Sequence, residues 1–85
     1  MEREYIYRNV KDAVVDVLQC EPNRVQPDTK LAEDLGADSI DFVEVVVTLE
    51  DLLDFEVPSG ELEKIGHTLS TVNEVCDFVE KYINP

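Results

Sequence analysis

The residues best placed to do chemistry lie in Gly36-Ala37-Asp38-Ser39-Ile40. Asp38 is a strong N-cap type, and Asp41, three positions on, is the acidic partner of a capping-box-like start. A helix is therefore expected to open at Ser39. Acids in a first turn complement the positive end of the helix dipole, and Gly36 gives the approaching loop a permissive backbone. A hydroxyl there is exposed beside free backbone N–H groups. The setting suits a phosphate ester, because helix N-termini favour bound anions.

Other chemistries fit less well. Ser39 is not in a Gly-x-Ser-x-Gly elbow. The single histidine, His67, lies in a distant stretch, and a triad needs geometry and an oxyanion hole as well as residue types. Asp34, Asp38 and Asp41 lack the ligand alternation and terminal Glu of a calcium loop, so no metal site is expected. Cys20 and Cys76 have neither metal nor redox spacing and read as reduced thiols behaving as small hydrophobes.

The element that must carry Ser39 is the stretch behind it. Val43, Val45, Val46, Val47 and Thr48 read as strand on propensity alone. Their spacing reads as helix. Phe42, Val45, Val46, Leu49 and Leu53 fall on one face. Ile40, Val43 and Val47 fall on an adjacent face bordered by Asp41, Glu44, Glu50 and Asp51. The first stripe suffices for a helix of a small bundle, and the second is a candidate partner contact.

Upstream, Ile6, Val10, Ala13, Val14, Val17 and Leu18 recur at helical spacing, ending near Gln19-Cys20 with Glu21-Pro22 as the stop. Tyr5 and Tyr7 are read as rim residues. Residues 21–38 form a long connection of turn formers, with Val25 and Leu31 as apolar pegs and Thr29 as the cap of a short turn. A connection this long in a small domain is usually functional. Beyond Val57-Pro58, Ser59 is expected to cap a short helix from Gly60 to Ile65, with Leu62 and Ile65 turned inward, followed by a loop at 66–70. Thr71-x-x-Glu74 is a capping box. It opens a last helix with Val72, Val75, Cys76, Val79 and Ile83 inward. The expectation is one all-α domain spanning 1–85: a small four-helix bundle of three main helices and one short helix, with a long loop between the first two.

Charge is the second informative feature. The formal net charge is −13, and residues 31–63 hold eleven of the twenty acids and none of the seven basic residues. A one-sign field of this kind repels nucleic acid and anionic membranes and steers basic partners. No run is long enough to span a membrane, and Met1-Glu2-Arg3-Glu4 is not a signal pattern. A monomeric, cytoplasmic protein with no stable membrane insertion is expected.

The segment LAEDLGADSIDFVEVVVTLED, followed by Glu56-Val57-Pro58, resembles acyl carrier proteins, and the resemblance runs from roughly Ile6 to Ile83. That family's hallmark is a Gly-x-Asp-Ser-Leu/Ile segment opening its second helix, and the matching serine is Ser39. The resemblance implies a covalent 4'-phosphopantetheine arm on Ser39, beside Asp38, donated from coenzyme A by a phosphopantetheinyl transferase. It implies a carrier rather than an enzyme. Such a carrier would hold acyl groups as thioesters for acyl-transfer and chain-processing enzymes of fatty acid or related lipid or polyketide biosynthesis. Basic patches on those enzymes would dock on Asp38, Asp41, Glu44, Glu50 and Asp51, with Ile40, Val43 and Val47 as apolar contacts. Phe42, Val45, Val46, Leu49, Leu62 and Val75 would shelter the acyl chain.

Phe42, Leu52 and Phe55 put apolar groups where the housekeeping pattern has polar ones. Cys20 stands where a branched apolar residue is usual, and the stretch 66–70 reads as a lengthened loop. These departures point to a specialised member. The rival reading is a small acidic interaction module without a prosthetic group, in which Ser39 is a plain N-cap.

Overall fold

The computed structural model describes residues 2–68 and 70–84, except for the side chains of 63 and 65–68. Among these residues five α-helices follow in order: α1 (Arg3–Leu18), α2 (Leu31–Leu35), α3 (Ser39–Leu53), α4 (Ser59–Thr68) and α5 (Val72–Ile83). A 3-10 turn, Pro22–Arg24, precedes α2. Among the described residues there is no strand, only one antiparallel bridge between Lys30 and Thr71. The architecture is all-α. The connection from α1 to α3 holds a short helix and the 3-10 turn, where the sequence suggests only turns and pegs.

The helical reading of the valine-rich stretch holds, and magnitudes say why. A β-branched residue costs a helix at most about 0.7 kcal/mol. Burying such a side chain returns about 1.5–3 kcal/mol. Val45 and Val46 are fully buried beside Phe42, Leu49 and Leu53. Thr48 satisfies its hydroxyl by donating to the Glu44 carbonyl at 2.8 Å.

These side chains meet Ile6, Val10, Ala13 and Val14 of α1 and Val72, Val75, Cys76 and Val79 of α5 in one core. α1 packs on both α3 and α5, while α4 packs mainly on α3. Val17, Leu18 and Ile83, expected inward, are only partly buried at the core's edge. At the other end of α1, Arg3 Nη1 donates to Asp77 at 2.7 Å and ties the helix to α5.

The long connection is held at both ends. Val25 and Leu31 are buried pegs, as their apolar character suggests. Tyr7 is more than a rim residue, since its hydroxyl donates to the Val25 carbonyl at 3.1 Å. Thr29 does not cap α2. Its buried hydroxyl donates to the Arg24 carbonyl and accepts from the Gln26 N–H, closing the preceding turn. α2 begins instead with the Asp34 carboxylate accepting from the Lys30 N–H at 2.9 Å. Leu31 N–H donates to the Ser70 carbonyl, while Val72 and Asn73 N–H donate to the Thr29 and Pro27 carbonyls. The start of α5 thus clamps the loop that leads to Ser39.

α4 corrects two expectations. It starts at Ser59, and the Pro58 carbonyl takes the first helical bond from Leu62 N–H at 3.1 Å, so Ser59 lies inside the helix and does not cap it. It also runs through Gly66, His67 and Thr68, residues expected in a loop. The apparent extra length at 66–70 is therefore mostly helix. Leu62 is partly buried as expected, while the Ile65 side chain and Leu69 lie outside the described residues.

Candidate functional site

The approach to Ser39 is built one hydrogen bond at a time. Gly36 ends α2 in the left-handed region with φ 74°, and its N–H donates to the Ala32 carbonyl at 3.0 Å. A side chain here would meet no atom within 4 Å, so the φ angle rather than crowding calls for glycine. Ala37 is buried, and its N–H donates to the Leu31 carbonyl at 2.9 Å. The chain then turns outward.

Asp38 is the N-cap of α3. Its carboxylate accepts from Asp41 N–H at 2.9 Å, and the Asp41 carboxylate accepts from Asp38 N–H at 3.1 Å. Both halves of the capping box are present. Ser39 is therefore the first helical residue and not the cap. Its side chain is exposed and, among the described residues, makes no hydrogen bond. The helical ladder starts with Phe42 N–H donating to the Asp38 carbonyl at 3.2 Å. The Ser39 and Ile40 N–H groups precede it and point out of the helix end, where the dipole favours an anion.

Below the site the two stripes of α3 separate cleanly. Phe42, at 4 % exposure, faces the core with Val45, Val46 and Leu49. Val75 of α5 is buried in the same core, and Leu62 is partly buried on α4. The second stripe stays outside: Ile40 is 67 % exposed, Val47 is 43 % exposed and Val43 is half-buried. Glu44 and Asp51 flank that stripe in solvent, and Asp41 is half-buried through its capping role.

Glu50 differs from the other acids predicted on this surface. It is half-buried, and its carboxylate accepts from Val57 N–H at 2.9 Å. Sequence reasoning missed this bond because nothing local links residues seven apart across a corner. Leu52 is exposed, whereas Phe55 packs against the core and stacks on Tyr82 with ring centroids 6.2 Å apart.

Among the described residues, no three or more His, Cys, Asp or Glu side chains are grouped to hold a metal ion. None of the described helices is long and apolar enough to cross a membrane. Cys20 is partly buried and Cys76 is buried, both as free thiols.

The model of the family described as phosphopantetheine attachment site matches residues 8–79. The chain is 40 % identical over 76 residues to the acyl carrier protein of Campylobacter concisus, covering 89 % of this chain and 94 % of that protein. It is 41 % identical over 75 residues to the acyl carrier protein of Wolinella succinogenes, covering 88 % and 93 %. With the acyl carrier protein of Thermosynechococcus vestitus it shares 40 % identity over 83 residues, 98 % of each chain.

Proposed function

The chain belongs to the acyl carrier protein family and has that family's phosphopantetheine attachment domain, and from this premise we propose that Ser39 is its attachment residue. The observation that carries the assignment is the division of labour at the head of α3. Asp38 and Asp41 cap the helix between them, leaving the Ser39 hydroxyl exposed and uncommitted. A serine serving as a plain N-cap would spend that hydroxyl on the N–H two or three residues on. The interaction-module reading therefore loses its role for Ser39.

The residues present fit a phosphodiester. Ser39 provides the oxygen to be esterified, and the Ser39 and Ile40 N–H groups face the place where the anion would lie. When attached, the group supplies a flexible arm ending in a thiol, on which an acyl chain is carried as a thioester. Asp38 keeps the helix end formed while the serine reacts. Phe42, Val45, Val46, Leu49, Leu62 and Val75 form the apolar shelter, which favours an acyl chain by about 0.8 kcal/mol per CH₂ buried. Phe42, the largest of these side chains, narrows that shelter near Ser39.

The exposed stripe Ile40, Val43 and Val47, edged by Asp41, Glu44 and Asp51, is the docking face. Its partners are enzymes with basic patches: the phosphopantetheinyl transferase first, then acyl-transfer and chain-processing enzymes of fatty acid or related lipid biosynthesis. Exposed ion pairs each contribute well under about 1 kcal/mol, so docking is transient. The chain acts as cargo platform, and its partners make and break the bonds.

The test is intact mass before and after incubation with coenzyme A and a broad-specificity transferase, on wild type and Ser39→Ala. Wild type should gain one phosphopantetheine and Ser39→Ala none. A folded, unmodified wild type that gains nothing with several transferases would overturn the assignment.

A further inference from the structure

We propose that Glu50 is a positioning residue: a latch that holds the start of α4 against α3 and so keeps the acyl shelter closed. The second half of this statement rests on the carrier reading above; the first half does not.

The corner between α3 and α4 is organised by Glu50 more than by any other residue. Its carbonyl accepts from Asp54 N–H, which closes α3 with Asp54 in the left-handed region at φ 55°. The same carbonyl accepts from Phe55 N–H at 3.3 Å. Its carboxylate then reaches across the corner to Val57 N–H at 2.9 Å. Three donors of the corner, at 54, 55 and 57, therefore converge on one residue.

The Val57 bond is the one that needs a side chain. Val57 is only 7 % exposed, and among the described residues no backbone carbonyl takes its N–H. A donor left unpaired in such a place is costly. Proline follows at 58, and the Pro58 carbonyl starts the α4 ladder, so fixing Val57 fixes the first turn of α4. Among the described residues α4 packs mainly on α3, and this corner is its principal tether. Leu53, the buried last residue of α3, and Leu62, partly buried on α4, join the same core from the two helices that the tether connects.

A docking role for Glu50 requires only its charge, whereas a latch requires its reach. Two conservative variants separate them. Glu50→Gln keeps an oxygen acceptor at the same reach and loses the charge. Glu50→Asp keeps the charge and falls one methylene short of Val57. Amide hydrogen exchange on the full, unmodified chain is the first readout. Glu50→Asp should raise exchange at Val57 and in the first turn of α4 on the order of tenfold, with Glu50→Gln close to wild type. The second readout uses chain loaded with an octanoyl-bearing arm, whose thioester hydroxylamine should cleave several-fold faster in Glu50→Asp than in wild type or Glu50→Gln. Glu50→Asp matching wild type in exchange, or Glu50→Gln matching Glu50→Asp, would overturn the latch. Failure of wild type to load at Ser39 would remove the carrier reading and leave the exchange result standing. Equal thioester cleavage in all three chains, with exchange changed as expected, would detach the latch from the shelter and overturn that half of the proposal.

Discussion

Asp38 and Asp41 cap each other's backbone, carboxylate to N–H in both directions, at 2.9 and 3.1 Å. Ser39 stands between them with its hydroxyl free. Asp38→Ala should therefore cost about 1 kcal/mol of stability, while Ser39→Ala should change it by less than about 0.5 kcal/mol. Urea denaturation of both variants checks this. Equal losses would mean that Ser39 shares the capping.

Glu44 is exposed and its carboxylate has no partner among the described residues. Glu44→Lys should raise the transferase KM by about three- to tenfold, leaving kcat and the melting temperature near wild type. The difference should shrink in salt. An unchanged KM at low salt would take Glu44 off the docking face.

A net charge of −13 on 85 residues makes the compact state repel itself. Raising ionic strength from near zero to about 0.15 M should lift the melting temperature by several degrees, because it shortens the screening length to about 8 Å. A flat or falling melting temperature would show that the surface charges are already balanced locally.

Glu74 supplies the pH dependence. The Ser70 hydroxyl and then the Thr71 N–H donate to its carboxylate and hold its pKa below the usual 4.5. A lowered folded pKa adds stability above pH 4.5 and loses it as the pH falls through the folded value. The advantage of wild type over Glu74→Gln should be full at neutral pH and shrink below pH 4.5. Denaturation midpoints measured across that range decide it. A constant gap would mean the bonds do not favour the charged form.

Burial pushes the Cys76 thiol up to about 11 from its usual 9.0. The thiolate is the reactive form, so iodoacetamide at neutral pH should label Cys20 well before Cys76 in the native chain, as mass spectrometry of peptides would show. Because the folded value is raised, the associated stability is complete below pH 9.0 and is lost as the pH rises through about 11. Equal labelling of the two thiols would point to a core that opens readily.

Much of the candidate site was legible because its signals are local. The capping box needs only residues three apart, and the two stripes of α3 follow from a period of 3.6. Ser39, Asp38, the buried set led by Phe42 and the exposed set led by Ile40 were all readable this way. Thr71 and Glu74 were legible for the same reason, and their box is closed in both directions. The errors fall where local signals compete. Gly66 and Thr68 look like loop residues by propensity, yet the helix continues through them. Thr29 looks like a cap, yet its hydroxyl serves the preceding turn.

By itself the sequence determined the all-α class, the helix that begins at Ser39, the faces of that helix and the acidic field around it. Periodicity, capping chemistry and charge act over a few residues and survive without knowledge of the fold. Only the tertiary structure decided which distant groups share a bond. It set the clamp of Thr29 and Leu31 onto the start of α5. It brought Tyr7 to Val25 and Phe55 to Tyr82. It also turned Glu50 from one acid among many into the partner of Val57. These pairings depend on how whole helices pack. Packing is a sum of many weak contacts spread along the chain, and no short stretch of residues carries it.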